Sequence, residues 1–84
     1  MRSEQRLAAF LSNLSQRLAV LGYSPTDFVM RMSREEIGNY LGLTLETISR
    51  LFSRFARDGV IRISQREVKI LDMHALTELV GKPC

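Results

Sequence analysis

A mainly α-helical domain with a small β wing, a winged helix-turn-helix, is the fold class the sequence predicts, and three observations predict it. Ser33 and Glu36 form a capping signature that opens a short apolar-periodic segment ending at Gly42. A second amphipathic segment starts at once behind Thr44, a good N-cap. Two short β runs joined by a polar connection follow directly, as the strands of a hairpin would. With no repeat, low-complexity tract or linker, residues 1–84 are read as a single domain of this kind.

The first element is a helix over 4–21, in which Leu7, Phe10, Leu11, Leu14, Leu18 and Leu21 recur at spacings of three and four as one apolar stripe. Ser3 is its expected N-cap, without a full capping box because Arg6 stands three places on. Gly22 ends it, and Tyr23-Ser24-Pro25-Thr26 makes a turn. Residues 28–32, Phe-Val-Met-Arg-Met, read as a short strand, although Met is a poor strand marker. The helix-turn-helix covers 33–58. Its first helix carries Ile37, Tyr40 and Leu41, and its second, over 45–58, buries Ile48, Leu51, Phe52 and Phe55 before Gly59. The wing covers 60–71, with β runs at Val60–Ile63 and Glu67–Leu71 around the turn Ser64-Gln65-Arg66. Asp72 caps a last helix over 73–80, closed by Gly81 and Pro83.

Two glycines carry the helix-turn-helix geometry. Gly38 stands mid-helix, where glycine costs about 1 kcal/mol relative to alanine. A close crossing of the second helix over the first is the expected compensation, with Ile37, Leu41, Leu43, Ile48 and Leu51 holding the pair together. Gly42 lies in the turn, where a positive φ is needed.

Composition narrows the function. The chain is 45% hydrophobic and 25% charged, ordinary for a globular domain. No apolar run approaches the roughly 18 residues of a membrane span, and Glu4 and Arg6 interrupt any signal-peptide pattern, so a cytoplasmic location is the expectation. Cys84, the only cysteine, cannot form an internal disulfide or a metal site and reads as an inert tail residue. The formal charge is +3, and ten of the twelve basic residues are Arg, whose planar fork of donors suits phosphate and guanine edges.

The second motif helix has a polar face of Glu46, Ser49, Arg50, Ser53, Arg54 and Arg57. Glu46, Ser49 and Arg50 share one face of its first turns, where a recognition helix meets base edges. Arg50 can donate to guanine O6 and N7, and Glu46 can accept from cytosine N4 or pair with Arg50 at i, i+4. Base contacts are therefore expected at Glu46, Ser49 and Arg50. Phosphate contacts are expected at Arg34, at Thr44 and Thr47 where the helix begins, at Arg54, and at Ser64 and Arg66 on the wing.

The run Ile37-Gly38-Asn39-Tyr40-Leu41-Gly42-Leu43-Thr44-Leu45-Glu46-Thr47-Ile48-Ser49-Arg50-Leu51 closely resembles the C-terminal domain of the bacterial cyclic-AMP receptor and fumarate–nitrate regulator (CRP/FNR) family. Arg6-Leu7-Ala8-Ala9-Phe10-Leu11 and Asn13-Leu14-Ser15 resemble its first helix. The resemblance implies transcription factors with an N-terminal sensory β-roll, a dimerisation helix and this C-terminal domain. It implies that Glu46, Ser49 and Arg50 read bases while Thr44, Thr47, Arg34 and Arg66 lie near phosphates. Leu45, apolar where the cyclic-AMP branch has arginine, and Ser49 imply the fumarate–nitrate branch and TTGAT-like half-sites of a palindrome. RNA polymerase is a further candidate partner, and a homodimer is expected only in a full-length protein. The sensory domain and most of the dimerisation helix have no counterpart in these residues. The resemblance therefore implies an isolated DNA-binding domain, either a piece of a longer regulator or a stand-alone relative, with no cofactor of its own.

Catalysis is not expected, because the lone His74 opens the terminal helix without a Cys or Ser–Asp arrangement beside it. The competing function is a winged helix used for protein–protein contact. Its second motif helix would expose apolar residues rather than a cationic face.

Overall fold

The computed structural model describes residues 2–81. Pro83 and Cys84 lie outside the described residues. The elements are α1 (Ser3–Val20), β1 (Asp27–Val29), α2 (Arg34–Leu41), α3 (Leu45–Arg57), β2 (Ile61–Ser64), β3 (Glu67–Ile70) and α4 (Met73–Val80). The strands form one antiparallel sheet in the order β1-β3-β2. This is the winged helix-turn-helix arrangement that the sequence predicts.

α1 begins one residue earlier than expected, and Ser3 is not its N-cap. Arg2 takes that position. Its guanidinium has no acceptor, so only the return half of a capping box forms: the Arg2 N–H donates to Gln5 Oε1 at 2.9 Å. At the other end, Gly22 adopts φ +87° and the Tyr23 N–H reaches back to the Leu18 carbonyl at 2.8 Å, closing the helix as glycine permits. Leu7 and Leu11 are fully buried, and Phe10 and Leu14 pack partly against the core. Leu21 falls beyond the helix and is 65% exposed, so the stripe loses its last predicted member.

The expected strand over 28–32 is shorter and shifted. β1 pairs through Asp27↔Lys69, Phe28↔Val68 and Val29↔Glu67. Glu67 is the first residue of β3, so the partner strand ends there and pairing cannot continue to Met32. Met30 is still buried, and its N–H donates to the Arg66 carbonyl at 2.7 Å.

The wing also differs by one residue. Ser64 pairs with Glu67, so the loop is Gln65-Arg66 rather than three residues. Two-residue hairpin loops call for a left-handed residue, usually Gly or Asn. Here Gln65 supplies it at φ +54°. Val60 and Leu71 leave the strands but still hydrogen-bond, Leu71 N–H to the Val60 carbonyl at 2.9 Å.

The core gathers Leu7, Leu11, Ile37, Ile48, Phe52, Phe55, Ile61, Val68 and Leu76, all fully buried. Each such side chain contributes about 1.5–3 kcal/mol through its removal from water. Two long-range hydrogen bonds fix α1 on this core. Arg6 Nη1 donates to the Leu41 carbonyl at the C-terminal end of α2, at 3.1 Å, where the helix dipole favours a cation. The buried Ser15 hydroxyl donates to the Pro25 carbonyl at 2.6 Å. Among the described residues no helix is long and apolar enough to cross a membrane.

Candidate nucleic-acid interface

α2 opens with a full capping box. The Glu36 N–H donates to Ser33 Oγ at 3.1 Å, and the Ser33 N–H donates to Glu36 Oε1 at 3.0 Å. The Ser33 backbone N–H first, then the Ser33 side chain, hold the Glu36 carboxyl below its usual range, with a smaller pull from Arg66 and a modest opposing effect of burial. Arg34, the first residue of α2, lays its guanidinium over the Phe52 ring of α3, 5.3 Å from the centroid. Arg34 and the wing residue Arg66 therefore both border the start of α2.

The turn into α3 is built on backbone contact. Gly42 takes φ +74°, and the Leu43 N–H donates to the Gly38 carbonyl at 2.7 Å. A Cβ on Gly38 would stand 2.6 Å from the Leu43 carbonyl oxygen and 3.5 Å from Ile48 Cγ1. The close approach expected at Gly38 exists, but the tight partner is the turn carbonyl; the crossing helix is only in ordinary contact.

α3 starts behind Thr44, whose hydroxyl oxygen accepts from the Thr47 N–H at 3.1 Å and whose proton goes to Thr47 Oγ1 at 2.8 Å. Thr44 is thereby committed to the cap, while the Thr47 hydroxyl keeps its own proton to donate. Ile48, Leu51, Phe52 and Phe55 are buried as expected. Opposite them, Glu46 and Arg50 pair at 3.7 Å, with side chains 86% and 72% exposed. Ser49 sits between them, partly exposed. Leu45, half-exposed, is the large apolar residue that α3 leaves in solvent.

The remaining predicted positions divide. Ser64 and Arg66 are exposed at the wing, with Ser64 in strand and Arg66 in the loop. Arg54 is not a free cation: its Nη1 donates to Glu4 Oε2 at 3.1 Å, across to α1. Glu4 is the residue that sequence reasoning missed, and no local spacing relates two positions so far apart. Among the described residues no three His, Cys, Asp or Glu side chains gather as a metal ion would require.

Residues 5–79 match the model of the Crp-like helix-turn-helix domain. The chain is 74% identical over 82 residues to the transcriptional regulatory protein Btr of Bordetella pertussis, covering 98% of this chain and 34% of that protein. It is 49% identical over 79 residues to the fumarate and nitrate reduction regulatory protein of Escherichia coli K12, covering 94% of this chain and 32% of that protein. The fold superposes on the structure of FixK2 from Bradyrhizobium japonicum with a TM-score of 0.85 at 34% identity, over 99% of this chain and 40% of that one. The chain thus spans about a third of the length of the regulators it matches in sequence.

Proposed function

The chain belongs to the Crp-like helix-turn-helix family, within the CRP/FNR group of transcription regulators, and on that premise we propose that it is the part that binds duplex DNA sequence-specifically. In this reading α3 enters the major groove. Glu46, Ser49 and Arg50 address base edges; Arg34, Thr44, Thr47, Arg54, Ser64 and Arg66 address phosphates. The observation that carries the proposal is the exposed Glu46–Arg50 pair in the first turns of a helix whose opposite face is wholly core. Pairing at i, i+4 restrains the Arg50 side chain before DNA arrives, and a pre-oriented fork loses less freedom on donating to guanine.

Within the phosphate set, Thr47 is the better donor at the helix start, because the Thr44 hydroxyl proton is already used. Arg34, stacked on Phe52, is held rather than free to swing. The fumarate–nitrate branch is supported by Leu45 and Ser49 and by the names of the similar proteins. That branch argues for TTGAT-like half-sites in a palindrome. Contact with RNA polymerase, and homodimerisation in a longer protein, are carried as parts of the same proposal. The similar proteins are named as regulators, which favours a binding role over an enzyme with His74 at its centre. A protein-docking role for α3 is disfavoured by its polar, cationic outer face.

The test is binding of the 84-residue chain to a duplex with TTGAT half-sites against a scrambled duplex, across salt concentration. Specific protein–DNA binding typically exceeds non-specific binding by about 10³-fold or more, and affinity falls with a slope near −0.9 per phosphate neutralised. Equal affinity for both duplexes would remove the sequence-reading role. Affinity independent of salt would remove the phosphate contacts.

A further inference from the structure

Five close contacts between acidic and basic side chains form among the described residues, His74–Glu78 included, and four of them join side chains no more than four positions apart. The fifth spans fifty positions and ties Glu4 in the first turn of α1 to Arg54 in α3. Arg54 Nη1 donates to Glu4 Oε2 at 3.1 Å, with the Glu4 side chain 24% exposed and Arg54 51% exposed. Arg54 stands one turn beyond Arg50. By helical geometry it lies at the edge of the polar face nearest the buried Leu51, between the surface offered to DNA and the surface packed on the protein.

We propose that Glu4 is an internal competitor for Arg54. Its carboxylate occupies the guanidinium that a DNA backbone phosphate would otherwise take, and so sets how strongly and how salt-sensitively the domain holds duplex DNA. The proposal rests on the DNA-binding reading above. Its physical basis is that a carboxylate and a phosphate are both acceptors for the same donor set, and two anions on one guanidinium repel each other. Arg54 is half-exposed, and Arg2 Nη1 lies 3.8 Å from the other Glu4 oxygen, so the pair can open while the largely covered carboxylate keeps a cation beside it. A duplex, with one phosphate charge per about 1.7 Å of axis, can displace the carboxylate. Each such displacement breaks the Glu4–Arg54 pair and leaves Glu4 to Arg2 alone, so Arg54 contributes less to binding than an unpaired arginine would. Glu4 lies outside the helix-turn-helix, so a movement of the start of α1 relative to α3 would free or mask one phosphate contact.

The experiment compares the parent chain, Glu4→Gln, Arg54→Gln and the double variant. Each is titrated by fluorescence anisotropy against a half-site duplex and a scrambled duplex between about 50 and 200 mM salt, after a melting curve has shown that it folds. Glu4→Gln is expected to bind both duplexes several-fold more tightly at the lower salt. Displacement of the carboxylate is incomplete in the parent, so its removal adds up to one phosphate contact, steepens the slope by up to about 0.9 and shrinks this advantage by up to about threefold across the salt range. In the Arg54→Gln background, Glu4→Gln is expected to change nothing. An equal gain in that background would overturn the proposal, leaving Glu4 as a diffuse negative charge. A loss of affinity in Glu4→Gln would overturn it in the opposite sense, with Glu4 presenting Arg54 to DNA. No change would mean that Arg54 meets no phosphate. A parent chain that binds neither duplex would overturn the DNA reading itself, a result separable from all of these.

Discussion

At the scale of single residues, exposure and partnership separate side chains of the same type. The sequence separates Arg50, expected at bases, from Arg34, Arg54 and Arg66, expected alike at phosphates, and the fold places the four in four different situations. Arg34 is stacked on an aromatic ring. Arg50 is paired along its own helix, Arg54 is tied to α1, and Arg66 faces a carboxyl at the start of α2. Arg50 alone combines high exposure with a position in the first turns of α3. Arg50→Ala is therefore expected to weaken binding to the specific duplex by about 1–3 kcal/mol and to leave random duplex nearly unaffected. Paired titrations on the two duplexes check this, and equal losses would assign Arg50 to phosphate.

At the scale of elements, the α2–turn–α3 unit depends on a carbonyl packed against a missing side chain. Gly38→Ala places a methyl carbon 2.6 Å from the Leu43 oxygen, so the turn must open and α3 must shift on α2. Overpacking of this kind costs about 1–3 kcal/mol, more than the helix propensity of alanine returns. A thermal midpoint that rises in Gly38→Ala would contradict this account. The N-terminal cap of α2 makes a second expectation. The Glu36 carboxyl is held below its ordinary value of 4.5 by the Ser33 backbone N–H and, less, by the Ser33 side chain. A depressed folded-state pKa means that the ionised cap stabilises the fold at and above the ordinary carboxylate range. That stabilisation fades as pH falls through the folded value. Melting curves of the parent and Glu36→Gln should thus keep a constant difference from neutral pH down to about 4.5 and converge below it. Parallel curves throughout the acid range would show that the charge of Glu36 plays no part.

At the scale of the whole molecule, contacts distant in sequence set how α1 sits on the rest. Arg6 to the Leu41 carbonyl, Ser15 to the Pro25 carbonyl and Glu4 to Arg54 anchor its N-terminal end and its C-terminal half to the helix-turn-helix and to the approach to β1. Ser15 is the buried member of this set. Ser15→Ala removes the donor to the Pro25 carbonyl from a part-buried bond, at a cost of about 0.5–1.5 kcal/mol. For a domain of this size each kcal/mol lowers the thermal midpoint by about 4–8 °C. Duplex affinity measured well below the midpoint should not change, because Ser15 lies away from α3. A loss of affinity without a loss of stability would give Ser15 a different role.

The sequence by itself determined the order of elements, the helix-turn-helix, the buried face of α3 and the Glu46–Arg50 spacing. These follow from local rules: periodicity sets which side of a helix is apolar, Ser33, Thr44 and Asp72 satisfy free N–H groups at helix starts, and Gly42 admits a left-handed turn. Boundaries moved by one to three residues wherever a partner decided them. β1 ends where β3 begins, the wing loop is two residues because Ser64 finds Glu67, and α1 starts at Ser3 because Gln5 reaches the Arg2 N–H. Only the tertiary structure decided that Gly38 answers to a carbonyl, that Leu21 stays in solvent and that Arg54 belongs to Glu4. Those outcomes depend on groups brought together from remote parts of the chain, and a hydrogen bond or ion pair between them leaves no periodicity to read.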